Sequence, residues 1–329
     1  MSEGIKKKCS KKKFFIWFLK AGVLLLFLLI NGIGLFAGEM IYQQIHHLRL
    51  QSDIGRNEKN IVRLQKFLDQ LPAGQWQNVS ITSSFGYRLE GTYIANPKAS
   101  EKTVVFLHGF GENRAAGISY LDFYLKDGFN VLLIDARAHG DSGGQVVTWG
   151  NFEKYDLDRW IDWLYEKYPN GEVGVHGISM GAATALLHSG INEKDKRVSF
   201  YIADSSFSDF ETLMAMKANE YLPQLTKIPL RYVFFYADIV AYWHERFTFY
   251  QASPLHAVSS ATTPILYLHG GDDRLVPPQM ANELYRETKG PKALYIFPDT
   301  AHVGAAFGDK KTYYAILKEF IISAEMKSI

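Results

Sequence analysis

The chain has 329 residues, of which 47% are hydrophobic and 14% aromatic, so it can build a large packed core and is too apolar to be disordered over most of its length. The net charge of +2 is uneven: residues 1–20 hold seven lysines against one glutamate, and the remainder carries 29 basic against 33 acidic groups. A basic tail on a mildly acidic body argues against nucleic acid as the body's partner, and a single cysteine, Cys9, excludes an intramolecular disulfide or a CxxC metal or redox site.

Residues 1–13 read as a basic cytoplasmic tail, with lysines at 6–8 and 11–13. Phe14 to Gly38 follows, interrupted by one charge, Lys20, and has the length of a membrane-spanning helix. Lysines before the span and none directly after it predict a single-pass cell-membrane protein whose body lies outside the cytoplasm. A cleaved signal peptide is the competing reading, because Gly32, Gly34 and Ala37 offer small residues to a peptidase. Residues 39–75 are polar with apolar positions at Ile41, Ile45, Leu48, Ile61, Leu64, Phe67, Leu68 and Leu71. That spacing predicts a juxtamembrane helical stalk, or a helix packed on the body, ending before Pro72. His46 and His47 within it read as surface residues.

From residue 76 to 329 short apolar runs alternate with amphipathic stretches. Strands are expected at Val79–Ser83, Leu89–Ile94, Thr103–Leu107, Val131–Ile134, Glu172–Val175, Phe200–Ala203, Ile265–Leu268 and Ala293–Phe297. Helices are expected near 113–126, 152–167, 180–188, 277–289 and 311–324. Such alternation means a mostly parallel sheet with helices on both faces, and ligands at the carboxyl ends of its strands. About sixty residues separate the sixth and seventh runs, so a helical cap insert is expected at about 207–262. Its aromatics, among them Tyr236 and Trp243, suggest an acyl-binding surface; packing of the cap onto the sheet is the plainer alternative.

Two serines satisfy G-x-S-x-G, Ser142 and Ser179, and with 27 glycines in the chain the pattern alone is weak. Ser179 has the context a nucleophile needs: a strand runs into it, and the small residues Gly181, Ala182, Ala183 and Ala185 leave it as a helix. Ser142 is followed by a glycine pair and no helix, and reads as a loop residue. An acid and a histidine should follow the nucleophile in that order. The strand ends supply both, in HGGDDRLVP, which contains Asp272 and Asp273, and in PDTAH, which ends at His302. The acid fixes the imidazole tautomer, and the neutral imidazole takes the serine proton. Activity should therefore rise as pH passes the ordinary histidine range near 6.5. Charge on the tetrahedral intermediate would be met by the N–H of Met180 and an N–H from the His108-Gly109-Phe110-Gly111 loop, with Phe110 as the second donor. His108 and Gly109 are further candidates for contact with substrate. No Cys, Asp or Glu stands at ligand spacing from His108, His139, His176 or His269, so no metal is expected.

HGFG after one strand, DARAHGDSGG after the next, GISMG, D-x-x-V-P and a late histidine together resemble the α/β-hydrolase superfamily, in particular its bacterial membrane-anchored esterase- and lipase-like members. The resemblance spans about residues 76–329. It implies an eight-stranded sheet flanked by helices, a Ser179–Asp273–His302 triad and no cofactor. The D-x-x-V-P pattern selects Asp273 over Asp272, and the family's alternative acid position falls on Asp204. The expected activity is hydrolysis of a small-molecule or lipid-like carboxylic ester through an acyl-enzyme. A peptidase, thioesterase or acyltransferase would use the same triad, and a non-catalytic hydrolase-like binding protein would keep the fold alone.

Overall fold

A computed structural model describes residues 2–47, 54–221 and 229–325, and the side chains of Lys6–Lys8, Lys11–Lys13, His46 and His47, like the apolar position Leu48, fall outside what it describes. The first helix, α1 (Ser2–His47), is one continuous helix that carries the whole apolar run. The second, α2 (Ile54–Leu68), ends before Pro72 as its periodicity predicts. It does not stand free as a stalk: Leu64 and Leu68 are buried in the main core beside Ala115 and Ala116. Its apolar stripe is satisfied by the body.

Eight strands form one sheet: β1 (Trp76–Thr82), β2 (Arg88–Ile94), β3 (Lys102–Leu107), β4 (Asn130–Ile134), β5 (Glu172–Ile178), β6 (Val198–Asp204), β7 (Ile265–Gly270) and β8 (Lys292–Phe297). Their spatial order is β1-β2-β4-β3-β5-β6-β7-β8. The first two strands pair antiparallel, β2 meets β4 antiparallel, and every pairing from β4 to β8 is parallel. Central strands such as β4 and β7 are buried along their whole length. Both faces are covered, which is why they read as unbroken apolar runs rather than alternating ones.

The covering helices are α3 (Ile118–Lys126), α4 (Glu153–Lys167), α5 (Met180–Asn192), α9 (Gln279–Glu287) and α11 (Lys310–Glu325), with the short α10 (Ala305–Gly308) before the last. The insert between β6 and β7 holds α6 (Phe210–Tyr221), α7 (Leu230–Glu245) and α8 (Pro254–Val258). Phe106, Phe200, Tyr313 and Leu317 belong to the core on one face of the sheet, and Val105, Trp160, Leu186 and Tyr267 to the core on the other. A third cluster joins Met180 and Ala183 of α5 to Phe207, Phe210, Ala237, Val240 and Ala241 of the insert. The chain leaves β3 for β4 on one side and reaches β5 on the other. The crevice between the carboxyl ends of β3 and β5 is therefore the sheet's switch point, where doubly wound sheets bind ligands.

Candidate active site

Ser179 sits in that crevice between β5 and α5 with φ 52° and ψ −118°, a conformation L-residues rarely adopt. The flanking glycines make the turn possible. A Cβ at Gly177 would overlap the carbonyl of Gly181, and one at Gly181 would overlap the carbonyl of Leu107. The Ser179 N–H donates to the Asp204 carbonyl at 2.8 Å, tying the turn to β6. Met180 is the first helical residue, so the α5 ladder has no use for its N–H.

Asp273, His302 and Ser179 form one hydrogen-bonded chain. His302 Nδ1 lies 2.6 Å from Asp273 Oδ2, and His302 Nε2 lies 2.9 Å from Ser179 Oγ. The Asp273 side chain is buried, and its Oδ1 accepts the N–H groups of Leu275 at 2.9 Å and Val276 at 2.8 Å. Its Oδ2 also faces His269 Nε2 at 3.2 Å. Burial opposes ionisation of Asp273, but the hydrogen bonds from His269 and His302 outweigh it, and the carboxyl is held well below the usual aspartate range. Asp272, its neighbour in sequence, is exposed.

Asp204, the alternative acid position, points elsewhere. Its oxygens accept from Ser205 Oγ at 2.9 Å and Tyr313 Oη at 2.8 Å, and burial raises its pKa. Its contribution to the His302 loop is indirect: Ser205 Oγ accepts the N–H of Val303 at 3.1 Å. Ser205 and Val303 both have positive φ, at 59° and 53°. Non-glycine strain of this kind gathers where a site holds its backbone in place.

The loop after β3 lies against the nucleophile. A Cβ on Gly109 would stand 3.4 Å from Ser179 Cβ. Two buried histidines hold this loop to the one after β4. His108 donates through Nδ1 to the Gly109 carbonyl at 2.7 Å and accepts the Ala136 N–H on Nε2 at 3.0 Å. His139 donates to the Arg137 carbonyl at 2.9 Å and accepts the Gly111 N–H at 3.0 Å. These tautomers follow from the surrounding donors and acceptors. Burial lowers the His108 pKa to about 3, which keeps it neutral and able to accept. His108, 1% exposed, is thus a loop pin whose two ring nitrogens are both engaged, rather than a group offered to substrate. Phe110 stacks on Trp149 with ring centroids 4.8 Å apart. Ser142 is a loop residue: its Oγ donates to the Asp135 carbonyl at 2.8 Å and accepts the Glu90 N–H at 2.9 Å.

The two cap aromatics expected at the substrate are placed differently. Tyr236 packs against α1, covering Gly34, and its hydroxyl donates to Asn31 Oδ1 at 2.6 Å. Trp243 is 79% exposed on the outer side of α7. Neither contact pattern is that of a substrate wall. Sequence reasoning offers His108 as a substrate contact and assigns His269 and His139 no role at the site. The signal for something more definite was position, with His108 and His269 directly at strand ends and His139 in the loop after β4.

Residues 104–310 match the model of the alpha/beta hydrolase family. The chain belongs to that family. It is 34% identical over 244 residues to the uncharacterized protein YqkD of Bacillus subtilis, covering 73% of this chain and 77% of the relative. It is 27% identical to the uncharacterized membrane protein YNL320W of Saccharomyces cerevisiae, covering 75% and 80%. Among solved structures it is similar to the Pyrococcus furiosus esterase Pf2001, with a TM-score of 0.60, 28% identity, and coverage of 75% of this chain and 92% of that one. This α/β-hydrolase therefore has esterases as structural neighbours, and an N-terminal apolar helix, Phe14–Gln43, long enough to cross a membrane.

Proposed function

We propose that this α/β-hydrolase is a serine hydrolase of carboxylic esters, held by α1 in the cell membrane with its body outside the cytoplasm. The observation that carries the reading is the unbroken Asp273–His302–Ser179 chain in the switch-point crevice. In the first half-reaction Ser179 Oγ attacks the ester carbonyl carbon while its proton passes to His302 Nε2. Asp273, ionised over the working pH range, keeps Nδ1 protonated and stabilises the imidazolium. Negative charge on the former carbonyl oxygen is met by the N–H groups of Met180 and Phe110. Collapse of the intermediate returns the proton from His302 to the departing alcohol and leaves an acyl-enzyme. Water, deprotonated by His302, then releases the acid and restores Ser179.

The likeness to an esterase at 28% identity supports the choice of ester, and a small-molecule or lipid-like acyl ester is the substrate class proposed. The mildly acidic body offers nothing to nucleic acid. Retention of α1 is supported by its packing on α7, which a cleaved chain would lose, and the lysines before the span favour a cytoplasmic N-terminus. The test is fluorophosphonate labelling of the full chain in detergent, beside Ser179→Ala and Ser142→Ala. Labelling should disappear in Ser179→Ala and persist in Ser142→Ala. A folded wild type that takes no label would refute the proposal.

A further inference from the structure

The insert and the apolar helix are packed together along a shared face. The ring of Tyr236 covers Gly34, and the backbone of Tyr236 and Ala237 lies so close to Gly38 that a Cβ there would overlap it. Gly34-x-x-x-Gly38 is the small-residue spacing that lets helices in a bilayer approach closely. The Tyr232 hydroxyl donates to the Ile30 carbonyl and the Tyr236 hydroxyl to Asn31. Further along, the Tyr42 ring stacks on His244 at 4.8 Å, its hydroxyl donates to Glu245 at 3.1 Å, and His244 Nε2 lies 3.2 Å from Glu39. Partner numbers rise together, from 30 with 232 to 42 with 245. The two helices therefore run parallel and side by side, from inside the apolar run to beyond its end.

This arrangement gives α7 two further faces. Val233, Phe234, Ala237, Val240 and Ala241 are buried, and the last three share the core cluster that includes Met180, next to the nucleophile. On the open side Phe235, Ile239, Tyr242 and Trp243 are 60%, 41%, 54% and 79% exposed. Their spacing of four, three and one makes one stripe along the helix. Leu35, Phe36 and Met40 on the neighbouring part of α1 are exposed as well. Contiguous exposed apolar surface of this kind marks an interface.

Depth identifies the partner. From Phe14 to Ile30 every residue of α1 is exposed, a length of about 25 Å at the helical rise. The hydrocarbon layer is about 30 Å thick, so the last ~5 Å falls on residues that α7 already flanks. An α1 that spans the bilayer therefore carries the first turn of α7 into the hydrocarbon, its middle into the headgroup layer and its C-terminal turn to the outer boundary of that layer. Tyr242 and Trp243 are the residue types that favour that layer. Arg231 and Arg246 are exposed at the two ends of the stripe, where long stems let guanidinium groups reach phosphate and limit how far the helix sinks.

We infer that α7 is a lipid-embedded cap helix whose Phe235, Ile239, Tyr242 and Trp243 lie in the outer leaflet of the bilayer that α1 crosses. One helix then separates lipid from the cluster beside Ser179. The inference rests on α1 being a retained anchor, and the experiment separates the two. The full chain carrying Cys9→Ser receives one cysteine at a time, by Phe235→Cys, Ile239→Cys, Trp243→Cys, Leu28→Cys in the bare span, or Tyr295→Cys on β8. Each variant is nitroxide-labelled, shown to be folded by thermal unfolding, and reconstituted in phosphatidylcholine–phosphatidylglycerol vesicles. Relaxation by oxygen, which concentrates in lipid, is compared with relaxation by a water-soluble nickel chelate. The oxygen-to-nickel ratio should be several-fold above that of Tyr295→Cys at 235 and fall through 239 to 243, staying above Tyr295→Cys and below Leu28→Cys throughout. If Leu28→Cys reads lipid while the three α7 labels match Tyr295→Cys, the inference is overturned and the anchor stands. If Leu28→Cys itself reads water, the anchor is wrong and the inference falls with it.

Discussion

Asp273→Asn is the substitution whose outcome the geometry constrains most tightly. Oδ1 accepts two backbone N–H groups, from Leu275 and Val276, while Oδ2 faces His302 Nδ1 at 2.6 Å and His269 Nε2 at 3.2 Å. In the amide the carbonyl oxygen must take the Oδ1 position, which puts the NH₂ group against His302. His302 can then meet it only with the Nδ1 lone pair, so its proton moves to Nε2 and points at Ser179, where a base is needed. The flipped amide would restore the correct tautomer but leave the buried Val276 N–H and the part-buried Leu275 N–H without their acceptor, at about 1 kcal/mol or more each. Even the lower figure for each, about 2 kcal/mol together, leaves roughly one molecule in thirty competent. Loss of a carboxylate in this position lowers turnover by about 10⁴, or roughly 5.5 kcal/mol of barrier. The expected fall in kcat/KM therefore lies between about 30-fold and 10⁴-fold. The assay is p-nitrophenyl butyrate hydrolysis by the full chain in detergent, with thermal unfolding to confirm that the fold is retained. A folded variant within threefold of wild type would sink the assignment of Asp273 as the orienting acid.

Asp204→Asn should behave in the opposite way, because Tyr313 and Ser205 can bond an amide and His302 is untouched: kcat/KM stays within about fivefold, roughly 1 kcal/mol. A collapse of turnover in a folded Asp204→Asn protein would move the acid to β6. His139→Leu removes the acceptor of the Gly111 N–H and the donor to the Arg137 carbonyl. It should lower stability by about 1–3 kcal/mol and slow fluorophosphonate labelling, and unchanged labelling would mean the loop holds its shape without the pin. Asp156 on α4 accepts from Ser83 and Tyr87 in a buried position, and burial lifts its pKa to about 6. Its folded value exceeds the ordinary ~3.9, so the stability held by the protonated form is complete below pH ~4 and lost as pH rises through about 6. Asp156→Asn should therefore gain on wild type by about 1–3 kcal/mol between pH 5 and 8, read by urea unfolding, and a gap that does not change with pH would refute this. Asp273 has the reverse sign: its depressed pKa contributes stability that is present above about pH 4 and lost as pH falls toward the lower folded value. The urea midpoint of wild type should accordingly drop toward that of Asp273→Asn below pH 4.

How far residues alone lead to this site depends on how many neighbours decide a side chain's role. The strands were legible because a parallel sheet covered on both faces demands unbroken apolar runs, and Thr103–Leu107 or Ile265–Leu268 can hardly be anything else. Ser179, Asp273 and His302 were legible together because each ends such a strand and their order is constrained. What failed depends on contacts across long sequence separations. His108 looks in sequence like a group beside substrate, and only the position of Ala136, on the next strand's loop, shows its Nε2 to be occupied. The α2 periodicity announced a helix with one apolar face but not what that face would meet. Tyr236 shows the limit most clearly. A 3.6-residue period tells that α7 has faces, but three different environments compete for them: the sheet-side core, the distal half of α1 and open surface. Tyr236 is assigned to the second by Asn31, Gly34 and Gly38, some two hundred residues earlier, and Trp243 to the third. The same aromatic composition would have served a substrate wall equally well. Small residues at Gly34 and Gly38 were the available clue, since close helix packing needs them and a solitary anchor does not.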